Sequence, residues 1–338
     1  MGFSRHSHVG AAAYSDLRRL ALDDALSEVA GRPTPVTVKG RVYWYDKVRV
    51  GTKVAQTYLG EDGPEMRERL DRLAELKGEA EARRRERTRL VRILRAEGYA
   101  SLDARTGSLL LAFQRAGIFR LGGTLVGTAA FRHYEAELGV PLGFDRLAQT
   151  DDIDIASFER LSVALDDRVS EEPSTILSAL SFDPVPGIHD RQVWRWRQSS
   201  SGTQVEFLTA AFGDETVKPL PALGVSAQAL HYLNYLIAEP IRAVALYRSG
   251  VLIQIPPPER YAIHKLIVAD RRRDGPDADK SRKDRAQAEF LIAVLAEDRP
   301  DELRDAWEDA RGRGPNWRKR LDATLQRMPR TREVLEGL

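Results

Sequence analysis

The chain has 338 residues, 42% of them hydrophobic and 30% charged, enough to bury the core of two ordinary domains or one large one and too apolar for disorder throughout. It contains no cysteine, which excludes disulfides, thiolate metal sites and cysteine nucleophiles. Its 52 basic and 50 acidic residues leave a net charge of +2, a balance that selects neither for nor against nucleic acid.

No stretch approaches the roughly 18 uninterrupted apolar residues of a membrane-spanning helix, and residues 1–9 carry no apolar secretory segment, so a soluble, cytoplasmic protein is expected. Leu17, Leu20, Leu22, Leu26 and Val29 predict a first helix, ended by Gly31 and Pro33. Residues 36–38 and 41–50 are rich in β-branched and aromatic side chains, Gly51 marks a bend, and 53–59 return as the second arm of a hairpin. Its Tyr43, Trp44, Tyr45, Lys47, Arg49 and Lys53 either form a base-stacking platform or fill the hairpin's own core. Pro64 opens a charged helix over 65–97. There Lys77 and Arg84 interrupt the apolar stripe begun by Met66, Leu70 and Leu73, which fits a solvated spacer better than a coiled coil. Its arginines, from Arg83 to Arg95, are either a phosphate-backbone tracker or a solvated face. Residues 1–98 are read as an N-terminal accessory region.

A short helix around 109–113 stops at Gly117. The pattern then becomes strand (118–121), glycine turn (Gly122, Gly123), helix (124–138), loop (140–150) and strand (153–156). Residues 192–197 and 203–209 flank a serine-glycine turn and predict an antiparallel hairpin, so the sheet is mixed. This α/β unit defines a core over 99–213. Beyond it, 214–338 reads as mainly helical, with helices at 227–237, 240–247, 260–273, 280–296 and 301–312 and one strand at 251–255.

The chemistry concentrates in two places. Two glycines after a strand let the backbone approach a phosphate, and the helix that follows offers free N–H groups, so Gly122, Gly123 and Thr124 are candidate phosphate ligands. On the next strand Asp152 and Asp154 project to one face while Ile153 and Ile155 anchor the other. Two ionised carboxylates side by side call for a cation, and Mg²⁺, with its preference for carboxylate and phosphate oxygens, is the natural one. Glu206, acidic between apolar neighbours, either completes a metal-binding triad or faces water at a strand edge. On the helix at 260–273, Tyr261, Lys265, Val268 and Arg272 share a face. Lys265 with Lys280 or Lys283 either reaches a triphosphate or belongs to an ordinary basic surface. His264 reads as a structural histidine.

These residues resemble the nucleotidyltransferase fold of the DNA polymerase β superfamily. The likeness is closest to the bacterial GSU-2403-type nucleotidyltransferase family over about residues 100–300, through the phrases at 122–128, 150–154 and 260–266, and more distant to AbiEii-type toxins. The resemblance implies an α/β (α+β) fold and transfer of a nucleoside monophosphate from a nucleoside triphosphate to RNA, a protein or a small molecule, releasing pyrophosphate. It also implies Mg²⁺ or Mn²⁺ held by Asp152, Asp154 and Glu206, and a toxin-like role is compatible with it. Two departures stand out: thirty positions separate Gly122 from Asp152, where many relatives have far fewer, and Thr124 stands where many carry serine. The rival readings are an inactive scaffold that binds nucleic acid and a phosphotransferase that passes on the terminal phosphoryl group.

Overall fold

The computed structural model describes residues 3–26, 32–38, 40–50, 53–142, 152–157, 167–186, 192–274 and 278–338. Val29, Gly31, Gly51, Thr150, Asp151 and most of the loop expected at 140–150 lie outside them, as do the side chains of Lys47, Arg49 and Lys53.

The first helix is α1 (His8–Leu26), followed by β1 (Arg32–Val38), β2 (Arg41–Val50) and β3 (Lys53–Glu61) in one antiparallel sheet of order β1-β2-β3. Tyr45 and Tyr58 face each other across β2 and β3, ring centres 5.5 Å apart. The charged helix α2 (Pro64–Ala96) starts at its proline. It buries only Met66 near its start and Arg87, Leu90, Val91 and Leu94 near its end. There it packs with Ala13, Tyr14, Leu17 and Ala21 of α1 against Val244, Leu246 and Leu252. Asp24 of α1 takes Arg83 at 2.6 Å and Arg87 at 2.8 Å, and Glu86 takes Arg89. Part of the arginine run is therefore committed to holding the two helices together.

Asp103 caps α3 (Ala104–Ala116) by accepting the N–H groups of Arg105 and Thr106, and left-handed Gly117 ends it. The strand expected at 118–121 is a turn. The strand proper is β4 (Thr124–Val126), and the helix expected from residue 124 starts three residues later as α4 (Gly127–Phe131), continued by α5 (Tyr134–Leu138). Then come β5 (Asp152–Ser157), α6 (Pro173–Ala179), β6 (Asp183–Pro184), β7 (Arg195–Arg197), β8 (Gln204–Ala210), β9 (Val217–Leu220) and β10 (Val225–Leu230). They complete a seven-stranded mixed sheet. Its main path is β4-β5-β8-β10-β9, parallel between β5, β8 and β10 and antiparallel elsewhere, and β7 pairs with β8 as the expected hairpin.

The division expected at residue 213 falls inside this sheet. Helices expected at 227–237 and 240–247 are instead mostly β10, the short α7 (Leu233–Leu236) and β11 (Ile241–Ala245), which pairs with β12 (Val251–Ile255). From the triple proline the chain is helical: α8 (Pro258–Arg271), α9 (Ala278–Asp298), α10 (Pro300–Gly312), α11 (Pro315–Leu325) and α12 (Pro329–Glu336). One apolar core extends from Leu109 to Leu335 through sheet and C-terminal helices alike. The α1 helix is tied to it by Tyr14, whose hydroxyl donates to Glu137 and accepts the Val244 N–H at 3.2 Å. The result is an α/β body, a seven-stranded mixed sheet with flanking helices. Among the described residues no helix is long and apolar enough to cross a membrane.

Candidate active site

The two aspartates sit where the alternation of β5 places them: Ile153 and Ile155 are in the core and Asp152 and Asp154 are on the opposite face. β5 and β8 run parallel with Asp154 beside Glu206 and Asp152 beside Gln204, so the third carboxylate arrives on the neighbouring strand at the same level. Burial and the charges of Glu206 and Asp152 push the Asp154 carboxyl up from 3.8 to about 7. Burial also raises Glu206, opposed by Arg195, whose guanidinium is 3.7 Å away.

Asp152 and Asp154 line a cavity of about 680 Å³, within the range of small-molecule sites. Facing them are Lys265, Arg271 and Arg272 from α8 and its end, and Lys280 and Lys283 from α9. Crowding is evident at Lys283, whose ammonium is lowered by burial and by neighbouring Lys265 and Lys280 despite Asp284 and Asp152 nearby. An incoming polyanion relieves that repulsion. Leu208, Leu230, Leu233, Leu236 and Val268 give the wall an apolar part, and Ser201, His231, Tyr261 and Asp284 add polar groups to it. His264 also lines the cavity, but burial and Lys265 lower it to about 3. It is a neutral imidazole at physiological pH.

Glu206 takes no place in the cavity lining, and among the described residues no three histidine, aspartate or glutamate side chains converge tightly enough to hold a metal ion. The expected triad is thus two cavity-facing aspartates with a glutamate alongside. The donor chemistry still fits Mg²⁺, which binds through one or two carboxylates and completes its shell with substrate phosphate and water.

The glycine turn is displaced from its expected place. Gly122, Gly123 and Thr124 are absent from the lining. Gly122 has φ +92° in the turn, and Gly123 is packed so tightly that a Cβ would meet the Ile118 carbonyl oxygen at 2.7 Å. Thr124 is wholly buried, its hydroxyl donating to the Gly122 carbonyl at 3.2 Å and accepting from Gln254 Nε2 at 2.9 Å. The chain reaches the cavity four residues on, at Val126, Gly127 and Thr128. Gly127 has φ +63°, and a Cβ there would stand 2.3 Å from Asp154 Oδ2. Only glycine lets this turn pass beside the carboxylate.

Lys265, Lys280 and Lys283 are all brought to the cavity. Lys265 is also buried and bonded to Asp284, 2.5 Å from Nζ to Oδ1, and Arg272 Nη1 reaches the same carboxylate's Oδ2 at 2.8 Å. Asp284 was missed in the sequence. Its signal is position, since it shares the buried face of α9 with Ser281, Gln287, Ala288 and Leu291, where an acidic residue needs a partner.

No curated protein matches the sequence. The crystal structure of an antigenic nucleotidyltransferase-like protein from Paracoccidioides brasiliensis aligns at 13% identity over 70% of this chain and 95% of that one, with a TM-score of 0.36, a likeness too slight to carry the fold. A family model described as nucleotidyltransferase matches residues 104–312, a span that contains β4, β5, β8 and both cation-bearing helices, and the chain belongs to that nucleotidyltransferase family.

Proposed function

We propose that the cavity binds a nucleoside triphosphate and transfers its nucleoside monophosphate to an acceptor. The observation that carries this reading is the confrontation, within one cavity, of Asp152 and Asp154 with five cationic side chains. Asp152 and Asp154 hold a divalent ion, Mg²⁺ or Mn²⁺, which on binding supplies charge neutralisation at the reacting phosphate. Arg272, Lys280 and Lys283 receive the β- and γ-phosphates and offset the charge of the departing pyrophosphate. The backbone at Gly127 and Thr128 takes the phosphate-cradling role expected of Gly122, Gly123 and Thr124. The apolar wall around Leu233 and Leu236 receives the nucleobase.

In the reaction an acceptor hydroxyl gives up its proton to solvent as its oxygen bonds to the α-phosphorus, the bond from that phosphorus to the bridging oxygen breaks, and pyrophosphate leaves. Glu206, beside Asp154 in register, maintains the negative field on that side of the site. The acceptor is an RNA end, a protein side chain or a small molecule, and a toxin-like modification is one form this chemistry takes.

The test is incubation of the protein and Mg²⁺ with each α-labelled triphosphate and cell extract. Label should appear in one class of acceptor with release of pyrophosphate, and Asp152→Asn and Asp154→Asn should each abolish it. Release of nucleoside diphosphate, absence of triphosphate binding, or full transfer by the doubly substituted protein would overturn the reading.

A further inference from the structure

Lys265 lines the same cavity as two carboxylates, Asp154 and Asp284. It bonds Asp284, and its charge also acts on Asp154, the carboxylate across the cavity, as does that of Arg272. Lys265 is 5% exposed and Asp284 2%, so each needs the other: a buried ammonium stripped of its partner turns to whatever acid remains within reach. Arg272, seven residues after Lys265, fills the second oxygen of Asp284. Asp284 therefore carries two cations from a different helix and has no carboxylate oxygen left over.

The wall is stiffened behind this pair. Lys265 Nζ lies 5.3 Å from the centre of the Tyr261 ring. The Tyr261 hydroxyl is 2.8 Å from the Gly127 carbonyl and 3.0 Å from Gln287 Oε1. The cations, the phosphate-facing turn and α9 are thereby fixed relative to one another.

We propose that Asp284 is a positioning residue that restrains Lys265 and Arg272, keeping Lys265 from pairing with Asp154 and so leaving that carboxylate open to a divalent ion. This rests on the nucleotidyl-transfer reading of the same cavity. With Asp284 neutralised, the Lys265 ammonium closes on Asp154 and competes with the metal for its oxygens, and the triphosphate meets cations that are no longer held in place.

The experiment uses the full chain with Mn²⁺ alone as the probe, its free concentration followed by electron paramagnetic resonance, and measures KM for the triphosphate separately. Asp284→Asn should weaken Mn²⁺ binding about tenfold or more, the scale on which supporting groups tune metal sites, and raise the triphosphate KM. Removing the competing ammonium as well, in Lys265→Met/Asp284→Asn, should restore most of the Mn²⁺ affinity while the KM stays high. A purely structural role predicts no such rescue. The double variant replaces a buried ion pair by neutral groups of similar size, so it serves on its own if Asp284→Asn melts below the assay temperature. Wild-type Mn²⁺ affinity in Asp284→Asn, or a double variant that binds Mn²⁺ tenfold more weakly than wild type, would overturn the proposal. A wild-type protein that binds neither Mn²⁺ nor triphosphate overturns the nucleotidyl-transfer reading itself, and this proposal with it.

Discussion

Replacing Gly127 by alanine separates the turn that serves the site from the turn that precedes it. At φ +63° an alanine enters left-handed backbone, at a cost of about 1–2 kcal/mol. The added Cβ also lies 2.3 Å from Asp154 Oδ2, so the carboxylate must retreat by roughly an ångström to reach ordinary contact, a misplacement that can lower turnover about a hundredfold. Gly122→Ala is the matched control. Its φ of +92° imposes comparable backbone strain, but the nearest atom to the new Cβ is Ser157 Oγ at 3.9 Å and no catalytic group is touched. Both variants should melt a few degrees below wild type. Transfer of α-label should fall about a hundredfold in Gly127→Ala alone. Equal transfer by Gly127→Ala and wild type, or the larger loss in Gly122→Ala, would refute the placement of the phosphate turn.

Asp154 gives a pH signature in metal-free protein. Its carboxyl holds a proton up to about pH 7 when folded, against an ordinary value of 3.8. The folded state thus binds more protons than the unfolded between those values, and the group's contribution to stability is lost as pH rises from about 4 to about 7. Asp154→Asn should flatten that decline in Tm and leave the metal-free protein more stable than wild type at pH 8; an unchanged slope would contradict the burial argument. At the other end of the molecule, Leu17→Ala removes a fully buried side chain between α1, α2 and β11–β12. It should lower unfolding free energy by about 2–5 kcal/mol in denaturant titrations, whereas a loss below 1 kcal/mol would mean that α1 is only loosely seated.

The carboxylates were legible because strand alternation is a short-range rule. Ile153 and Ile155 choose the buried face of β5, the aspartates take the other, and apolar neighbours mark Glu206 as a central-strand residue. The turn that reaches the cavity is not legible in this way. Three glycines fall within six residues, and β4 is only three residues long, too short for periodicity to show which glycine follows the strand. The alanines and leucines of β10 and β11 carry helix propensity, which pairing with β8 and β12 overrides. The tie between Lys265 and Asp284 spans two helices nineteen positions apart, a distance that local spacing rules do not reach.

The family match and the folded body divide the chain at different places. Residues 104–312 contain the cavity, yet Leu321, Leu325 and Leu335 beyond that stretch are buried in the same core, and Tyr14 before it bridges α5 and β11. Cutting the protein down to the matched stretch would bare the Val244, Leu246 and Leu252 side chains on one flank and strip the cover from α8 on the other. The portion recognisable by kinship is thus an excerpt whose apolar side chains depend on its margins for cover, and the flanking helices act as buttresses to the cavity without lining it.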